Sequence, residues 1–329
     1  MESLDKEVSL RRIAVLGTGG TIASRATDQG VVAADSVEML IDAATLPGDL
    51  DVVTREVLTI GSYALTLTEQ ATIVESILAA QADPEIDGIV VTHGTDAMEE
   101  TAFLADLVST NSTPVVFTGA QRAADLPSPD GPGNLAEAIE LAAREELSGH
   151  GVMIYFAGLL LGARGSRKTH TTAPRPFSGG RVIGEYYNGT LVPRAATPRR
   201  RMHVPYHPEI ADQRVDLHIA YPGSDPRLLR GARDHGAGAF VVAGMGMGNT
   251  HPDYVPVIAE LVDAGLPVVV SSRVAHGPLI PTYGNGGAGE LQGIGVVVSQ
   301  LDPYQSRIAL AAARAAGYTG AELTKLFEN

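Results

Sequence analysis

Short apolar runs that each break into a turn of glycine and hydroxyl residues recur along the first half of the chain, and this repeat constrains the fold most. The first is Ile13-Ala14-Val15-Leu16, followed by Gly17-Thr18-Gly19-Gly20-Thr21-Ile22-Ala23. A short continuous apolar run reads as a buried strand of a parallel sheet, and ligands of open α/β sheets sit outside the carboxyl ends of such strands. Glycines there let a ligand approach the backbone closely. A second strand over residues 51–57 ends in Thr59-Ile60-Gly61-Ser62-Tyr63, and a third, Gly88-Ile89-Val90-Val91, ends in Thr92-His93-Gly94-Thr95-Asp96. A fourth, Pro114-Val115-Val116-Phe117, ends in Thr118-Gly119-Ala120-Gln121. One such turn alone reads as a local cap. Repetition at successive strand ends favours a site.

Helical patterns separate these strands. They cover residues 36–44, 66–81, 97–109 and 134–147, and the second opens with Thr66 and Glu69 at capping-box spacing. With a fifth strand over 152–156, the alternation predicts right-handed crossovers and a parallel sheet with helices on both faces. Residues 24–35 are small and polar, which predicts a mobile loop over the mouth of the sheet. After residue 159 the pattern breaks into glycines, hydroxyls and Lys168, and residues 181–192 read as a hairpin turning at Asn188-Gly189. Four prolines and Arg199-Arg200-Arg201 then mark residues 193–208 as linker. Strands resume over 215–220, 239–243 and 267–271, with helices over 226–235, 252–264, 304–316 and 321–327. A chain of 329 residues is long enough for two cores. The predicted division is a catalytic α/β domain over 1–192, a linker over 193–214 and a smaller α/β domain over 215–329.

Composition excludes several classes of function. A net charge of −14 argues against a nucleic-acid or anionic-membrane surface and leaves a small molecule or a protein as partner. The arginine run is the local exception and reads as a solvated linker segment. With no cysteine there are no disulfides, thiolate metal sites or thiol nucleophile. His203 and His207 have metal-ligand spacing, but Pro205 and Pro208 put them in the linker, so no metal is expected. Residues 1–12 lack the apolar core of a secretory signal, which predicts a cytoplasmic protein. The apolar stretch 151–163 is too short and too glycine-broken to span a membrane.

A dinucleotide fold is the rival for the first turn. Gly17-Thr18-Gly19 begins a GxGxxG pattern, but Ile22 stands at the third glycine position and Glu56 lies too far on to hold a ribose. The run from Gly244 to Gly248 fails the same pattern, and neither a P-loop nor a GxSxG elbow occurs. No cofactor is expected. What remains is Thr21, Ser62, Thr95 and Asp96 at three strand ends, with Lys168 in the later hydroxyl-rich segment. Each has a structural alternative: Ser62 terminating a strand, Asp96 and Glu99 forming a capping box, Lys168 lying in solvent. Together they suit nucleophilic acyl transfer. A threonine hydroxyl needs a base to take its proton, and the carbonyl oxygen that becomes an anion needs fixed donors, which backbone N–H groups of the turns can supply. A lysine acts as base only when neutral, and spacing leaves the role of Lys168 open.

These residues carry a resemblance. Thr18-Gly19-Gly20-Thr21-Ile22-Ala23, His93-Gly94-Thr95-Asp96 with Met98-Glu99-Glu100-Thr101, Asp130-Gly131-Pro132 with Asn134-Leu135, Lys168-Thr169 with Thr171-Thr172, and Ser271-Ser272-Arg273-Val274 run in the order found in bacterial-type L-asparaginases. The chain resembles this asparaginase/glutaminase family over nearly its whole length. The resemblance implies a flavodoxin-like parallel sheet in the N-terminal domain, a smaller C-terminal α/β domain, and homotetramers of intimate dimers whose sites are shared between subunits. It implies cofactor-free hydrolysis of L-asparagine to L-aspartate and ammonia, with minor action on L-glutamine. Thr21 would form the acyl-enzyme, and Thr95, Lys168 and Asp96 would assist proton transfer. Ser62, Tyr63, Thr95 and Asp96 would hold the substrate, with Ala120 against its side-chain amide and Asn249 contributed by a partner subunit. The chain departs from the family in three ways. Residues 24–35 lack the tyrosine many members carry, Tyr63 stands where glutamine is common, and residues 278–293 offer only Glu290 and Tyr283 for the partner's acid. These departures leave a second reading, a non-catalytic binding or sensor protein for a small amino acid, which a ligand would stabilise without ammonia release.

Overall fold

The computed structural model describes residues 10–28, 30–33, 35–194 and 202–328. The arginine run and most of the amino-terminal segment considered above lie outside them. Two units are resolved, Met1–Leu65 with Thr72–Met98 and Asn111–Thr197, and Thr66–Ala71 with Glu99–Thr110 and Pro198–Asn329. The second unit thus takes in two segments from the sequence region between the early strands.

The first unit is built on an eight-stranded sheet. Its strands are β1 (Arg11–Gly19), β4 (Leu50–Ile60), β5 (Gly88–Thr92), β6 (Val115–Thr118), β7 (Val152–Phe156), β8 (Leu159–Gly162), β11 (Val182–Tyr187) and β12 (Thr190–Pro193). The spatial order is β12-β11-β8-β7-β6-β5-β1-β4. Neighbours from β4 to β7 pair in parallel, whereas β8, β11 and β12 pair antiparallel. The parallel part therefore follows the flavodoxin-like order 2-1-3-4-5, which reverses direction at the junction of β1 and β5. Strands β5, β6 and β7 are buried at every residue, as their unbroken apolar runs require. Among the described residues the first four helices in chain order are α1 (Val37–Ala43), α2 (Leu67–Ala82), α3 (Met98–Val108) and α4 (Gly131–Ala142); α1 and α4 pack with this sheet and share one core containing Ile13, Val15, Val90, Val116, Leu135 and Ile139.

The five strands read from the sequence pair in parallel as expected, and the sheet is extended by an antiparallel return at β8 that the sequence reading did not include. The turn Ala157–Gly158 has φ of 45° and 85°, the left-handed conformation of a tight hairpin, so β8 returns alongside β7 with no crossover. The hairpin at Asn188-Gly189 forms as read, both residues having positive φ. Where the sequence predicts a mobile loop, the structure has an antiparallel pair, β2 (Ser24–Thr27) with β3 (Gly30–Ala33). Lys168 likewise lies on a short strand, β9 (Arg167–Lys168), paired with β10 (Phe177–Ser178).

The second unit has an all-parallel sheet in the order β13 (Val215–Ile219), β14 (Ala239–Gly244), β15 (Val268–Ser272), β16 (Val297–Val298). Phe240, Val242, Tyr254, Ile258, Leu261 and Val270 form its core. The helix carrying Pro303–Ala315 begins on Asp302, whose side chain caps Tyr304 and Gln305, and it packs on the sheet. His207 caps the short turn Pro208–Asp212 by accepting from the Glu209 N–H, so one of the two linker histidines has a structural task. Among the described residues no helix is long and apolar enough to cross a membrane.

Candidate active site

At the carboxyl ends of β4, β1 and β5, glycine backbones stack directly. The Gly20 N–H donates to the Ile60 carbonyl at 3.1 Å, and the Thr18 hydroxyl donates to the Thr92 carbonyl at 2.7 Å. Gly20 has φ of 81°, and a Cβ placed on it would lie 2.3 Å from the Gly94 nitrogen. A Cβ on Gly94 would lie 2.5 Å from Ser62 Oγ. Three turns distant in sequence are thereby closed onto one another at the β1–β5 switch, and Thr21, Thr95 and Ser62 are carried next to the contacts. Gly20→Ala is expected to cost about 3 kcal/mol or more, through unfavourable φ and backbone overlap together. Chemical denaturation should show a lowered midpoint at unchanged slope; wild-type stability would remove this account of the closure.

Thr21 begins a short 3-10 turn, Thr21–Ala23, and is half-buried. The Gly20 carbonyl accepts from both the Ala23 N–H, at 3.0 Å, and the Ser24 hydroxyl, at 2.7 Å. The Gly20–Thr21 peptide is thus fixed, and the Thr21 N–H faces the other way from that carbonyl because the peptide is trans. Among the described residues neither this N–H nor the Thr21 hydroxyl has a hydrogen-bond partner.

Thr95 and Ser62 are buried, while Asp96 is exposed. The Lys168 ammonium donates to Thr95 Oγ1 at 2.8 Å and to Asp96 Oδ1 at 2.7 Å. Ser62 Oγ accepts from the Asp96 N–H at 3.1 Å. Four of the residues singled out in the sequence, Ser62, Thr95, Asp96 and Lys168, form one hydrogen-bonded chain. Tyr63 is 76 % exposed, its ring lying over Gly61. Ala120 is buried at the end of β6. Asn249, in the second unit, closes the loop after β14: its backbone exchanges two hydrogen bonds with Met245, and its Oδ1 accepts from the Ala288 N–H at 3.3 Å.

Two residues of the quoted motifs have tasks that spacing did not assign. Asp130 accepts from the N–H groups of Gln121, at 3.1 Å, and Arg122, at 2.9 Å, which fixes the loop after Ala120. Asn134 donates to the Gly119 carbonyl at 2.9 Å and accepts from the Ala157 N–H at 3.1 Å, tying the ends of β6 and β7 to α4. The signal for both was the compact Asp130-Gly131-Pro132-Gly133-Asn134 string, in which two short polar side chains flank a helix start.

His93 is fully buried beside Phe117. Its Nδ1 lies 2.6 Å from the Gly94 carbonyl and therefore donates, which leaves Nε2 buried with no partner among the described residues. Burial pulls its pKa down to about 4, against the opposite pull of the Gly94 carbonyl. The folded state thus binds a proton less readily than the unfolded chain. Stability is complete above pH ~6.5 and lost as the pH falls towards about 4, by about 3 kcal/mol. Unfolding of wild type and His93→Asn between pH 7 and 4 checks this, since carboxylate titration is common to both; parallel curves would contradict it.

Residues 12–191 match the family model for the asparaginase N-terminal domain, and residues 214–327 match the glutaminase/asparaginase C-terminal domain. The chain is 32% identical over 331 residues to a probable L-asparaginase of Deinococcus radiodurans, covering 97% of this chain and 98% of that protein. It is 29% identical over 307 residues to an L-asparaginase of Bacillus licheniformis, covering 92% and 94%. A solved structure of a probable cytoplasmic L-asparaginase from Campylobacter jejuni is similar at a TM-score of 0.86 and 30% identity, over 97% of this chain and 99% of that one.

Proposed function

The chain belongs to the asparaginase family, and from that premise we propose that this amidohydrolase converts L-asparagine to L-aspartate and ammonia through an ester on Thr21, with slower action on L-glutamine. The observation that carries the reading is the Lys168 ammonium held between Thr95 and Asp96, beside the turn that bears Thr21.

In this reading Thr21 Oγ attacks the side-chain carbonyl carbon of asparagine. The anionic oxygen meets N–H donors of the strand-end turns, Thr21's own among them, where a fixed donor is worth more than water. Thr95 Oγ1 accepts from Lys168, so its own proton is free to be donated; it protonates the departing nitrogen, and the proton lost by Thr21 returns through Lys168 and Asp96. Ammonia leaves and an aspartyl ester of Thr21 remains. Water then attacks the ester carbonyl carbon, one of its protons passing through the same three residues to Thr21 Oγ as the bond from that oxygen to the acyl carbon breaks, and L-aspartate and free Thr21 result. Ser62 Oγ, already accepting from Asp96, has its hydroxyl proton for the substrate α-carboxylate, while the exposed Asp96 carboxylate takes the α-ammonium. Tyr63 borders this end, Ala120 borders the amide, and Asn249 comes from a neighbouring subunit of a homotetramer in the cytoplasm.

The Thr21 hydroxyl, without a partner among the described residues, and the lack of a tyrosine in residues 24–35 favour the second reading, a binding protein. Coupled assay of ammonia from L-asparagine and L-glutamine separates the two. Turnover of asparagine exceeding that of glutamine supports the hydrolase; ligand-raised thermal stability without ammonia supports the binding protein.

A further inference from the structure

Between Arg25 of β2, helix α1 and the start of α4 lies a cavity of about 210 Å³ that the reaction above leaves unused. Ile22, Leu40, Ala124 and Leu135 form its apolar wall, and Arg25, Asp35 and Arg122 supply its charges. Roughly 150 Å³ is enough to hold a benzene ring, so this space takes a ring or a branched chain together with one small polar group. The charges decide which group. Asp35 is buried and already engages Arg25 at 2.5 Å, so it offers little to an ammonium. The Arg122 guanidinium has no partner among the described residues, and its planar donor pair matches a carboxylate. An amino acid is disfavoured because its ammonium would face two guanidinium groups; an inorganic anion would leave the apolar wall unfilled.

We propose that this cavity binds a small monocarboxylate with a compact apolar body and no ammonium group, and that its occupancy sets the rate at which Thr21 acts. The second half rests on the reading of Thr21 as nucleophile; the first half does not. The coupling runs through Ile22, which follows Thr21 in the same 3-10 turn. Ile22 is packed so closely on the start of α4 that a Cβ on Gly131 would lie 2.8 Å from its Cγ1. Arg25 lies on β2 and its ion-pair partner Asp35 follows β3, so a ligand against them also bears on the root of that pair.

Benzoate is the probe. Calorimetric titration of the wild-type protein should give saturable binding that persists in saturating L-aspartate and in Thr21→Ala. Arg122→Ala, an exposed position, should weaken it at least about tenfold, benzamide should bind at least about tenfold more weakly than benzoate, and Ala124→Phe should fill the space and abolish binding. Displacement by L-aspartate would place benzoate in the reaction site and overturn the proposal. So would unchanged affinity in Arg122→Ala, or no saturable binding up to about 10 mM. Benzoate should change kcat for ammonia release at least about twofold in wild type and not in Arg122→Ala. Binding with unchanged kcat would overturn the coupling. A protein that releases no ammonia leaves the binding results decisive for the site and refutes the hydrolase reading instead.

Discussion

Replacing Thr21 by alanine is expected to lower ammonia release from L-asparagine by at least about 10³-fold, the scale on which nucleophilic enzymes respond to loss of the attacking group. The fold should hardly notice. Thr21 is half-buried and its hydroxyl makes no hydrogen bond among the described residues, so the substitution removes a methyl and an unpaired hydroxyl and costs within about 1 kcal/mol. Activity and stability therefore separate, and thermal unfolding run beside the assay shows that the loss is chemical. Thr21→Ser, which keeps the oxygen, should retain most of what alanine loses. If alanine keeps turnover within about tenfold of wild type, the attacking group lies elsewhere.

Lys168→Met carries the second large effect. Among the described residues its ammonium is the sole link between Thr95 Oγ1 and Asp96 Oδ1, so an apolar chain of similar length leaves two acceptors without a donor between them. Loss of a positioned proton-transfer group lowers kcat by about 10²–10⁴-fold. The ion pair contributes little to the fold, because the Asp96 side chain is 54 % exposed, and a pair screened to that degree is worth at most about 1 kcal/mol. The fall should lie in kcat with KM moved far less, since Ser62 and the Asp96 carboxylate, which hold the substrate's α-groups, both remain in Lys168→Met. A rise in KM at constant kcat would make Lys168 a binding residue only.

Much of the site was legible because the sheet writes it at regular intervals. In a parallel sheet every carboxyl end lies on the same rim, so strands recognised from Ile13-Ala14-Val15-Leu16 or Gly88-Ile89-Val90-Val91 bring their following turns together without any knowledge of loop geometry. That reasoning located Ser62, Thr95 and Asp96, which the structure links. Lys168 was legible as a residue but not as a position, since two-residue strands such as β9 have no periodicity to detect. The antiparallel return at β8 was hidden for a related reason: it depends on positive φ at Ala157, a residue whose identity does not announce a turn. The pair β2–β3 was missed because Ser24, Arg25, Ala26 and Thr27 offer backbone pairing without alternation of apolar side chains. Gly20 and Gly94 were each readable as turn residues; that they touch each other follows only from the register of β1 on β5 and β4.

The most direct test of the covalent role of Thr21 is mass spectrometry of protein quenched in acid shortly after mixing with L-asparagine, comparing wild type, Lys168→Met and Thr21→Ala. Wild type should gain one aspartyl group on the peptide containing Thr21, a gain that forms more slowly in Lys168→Met, where protonation of the departing nitrogen is impaired, and is absent from Thr21→Ala. An aspartyl group found on another residue, or ammonia released at the wild-type rate by Thr21→Ala, would contradict it.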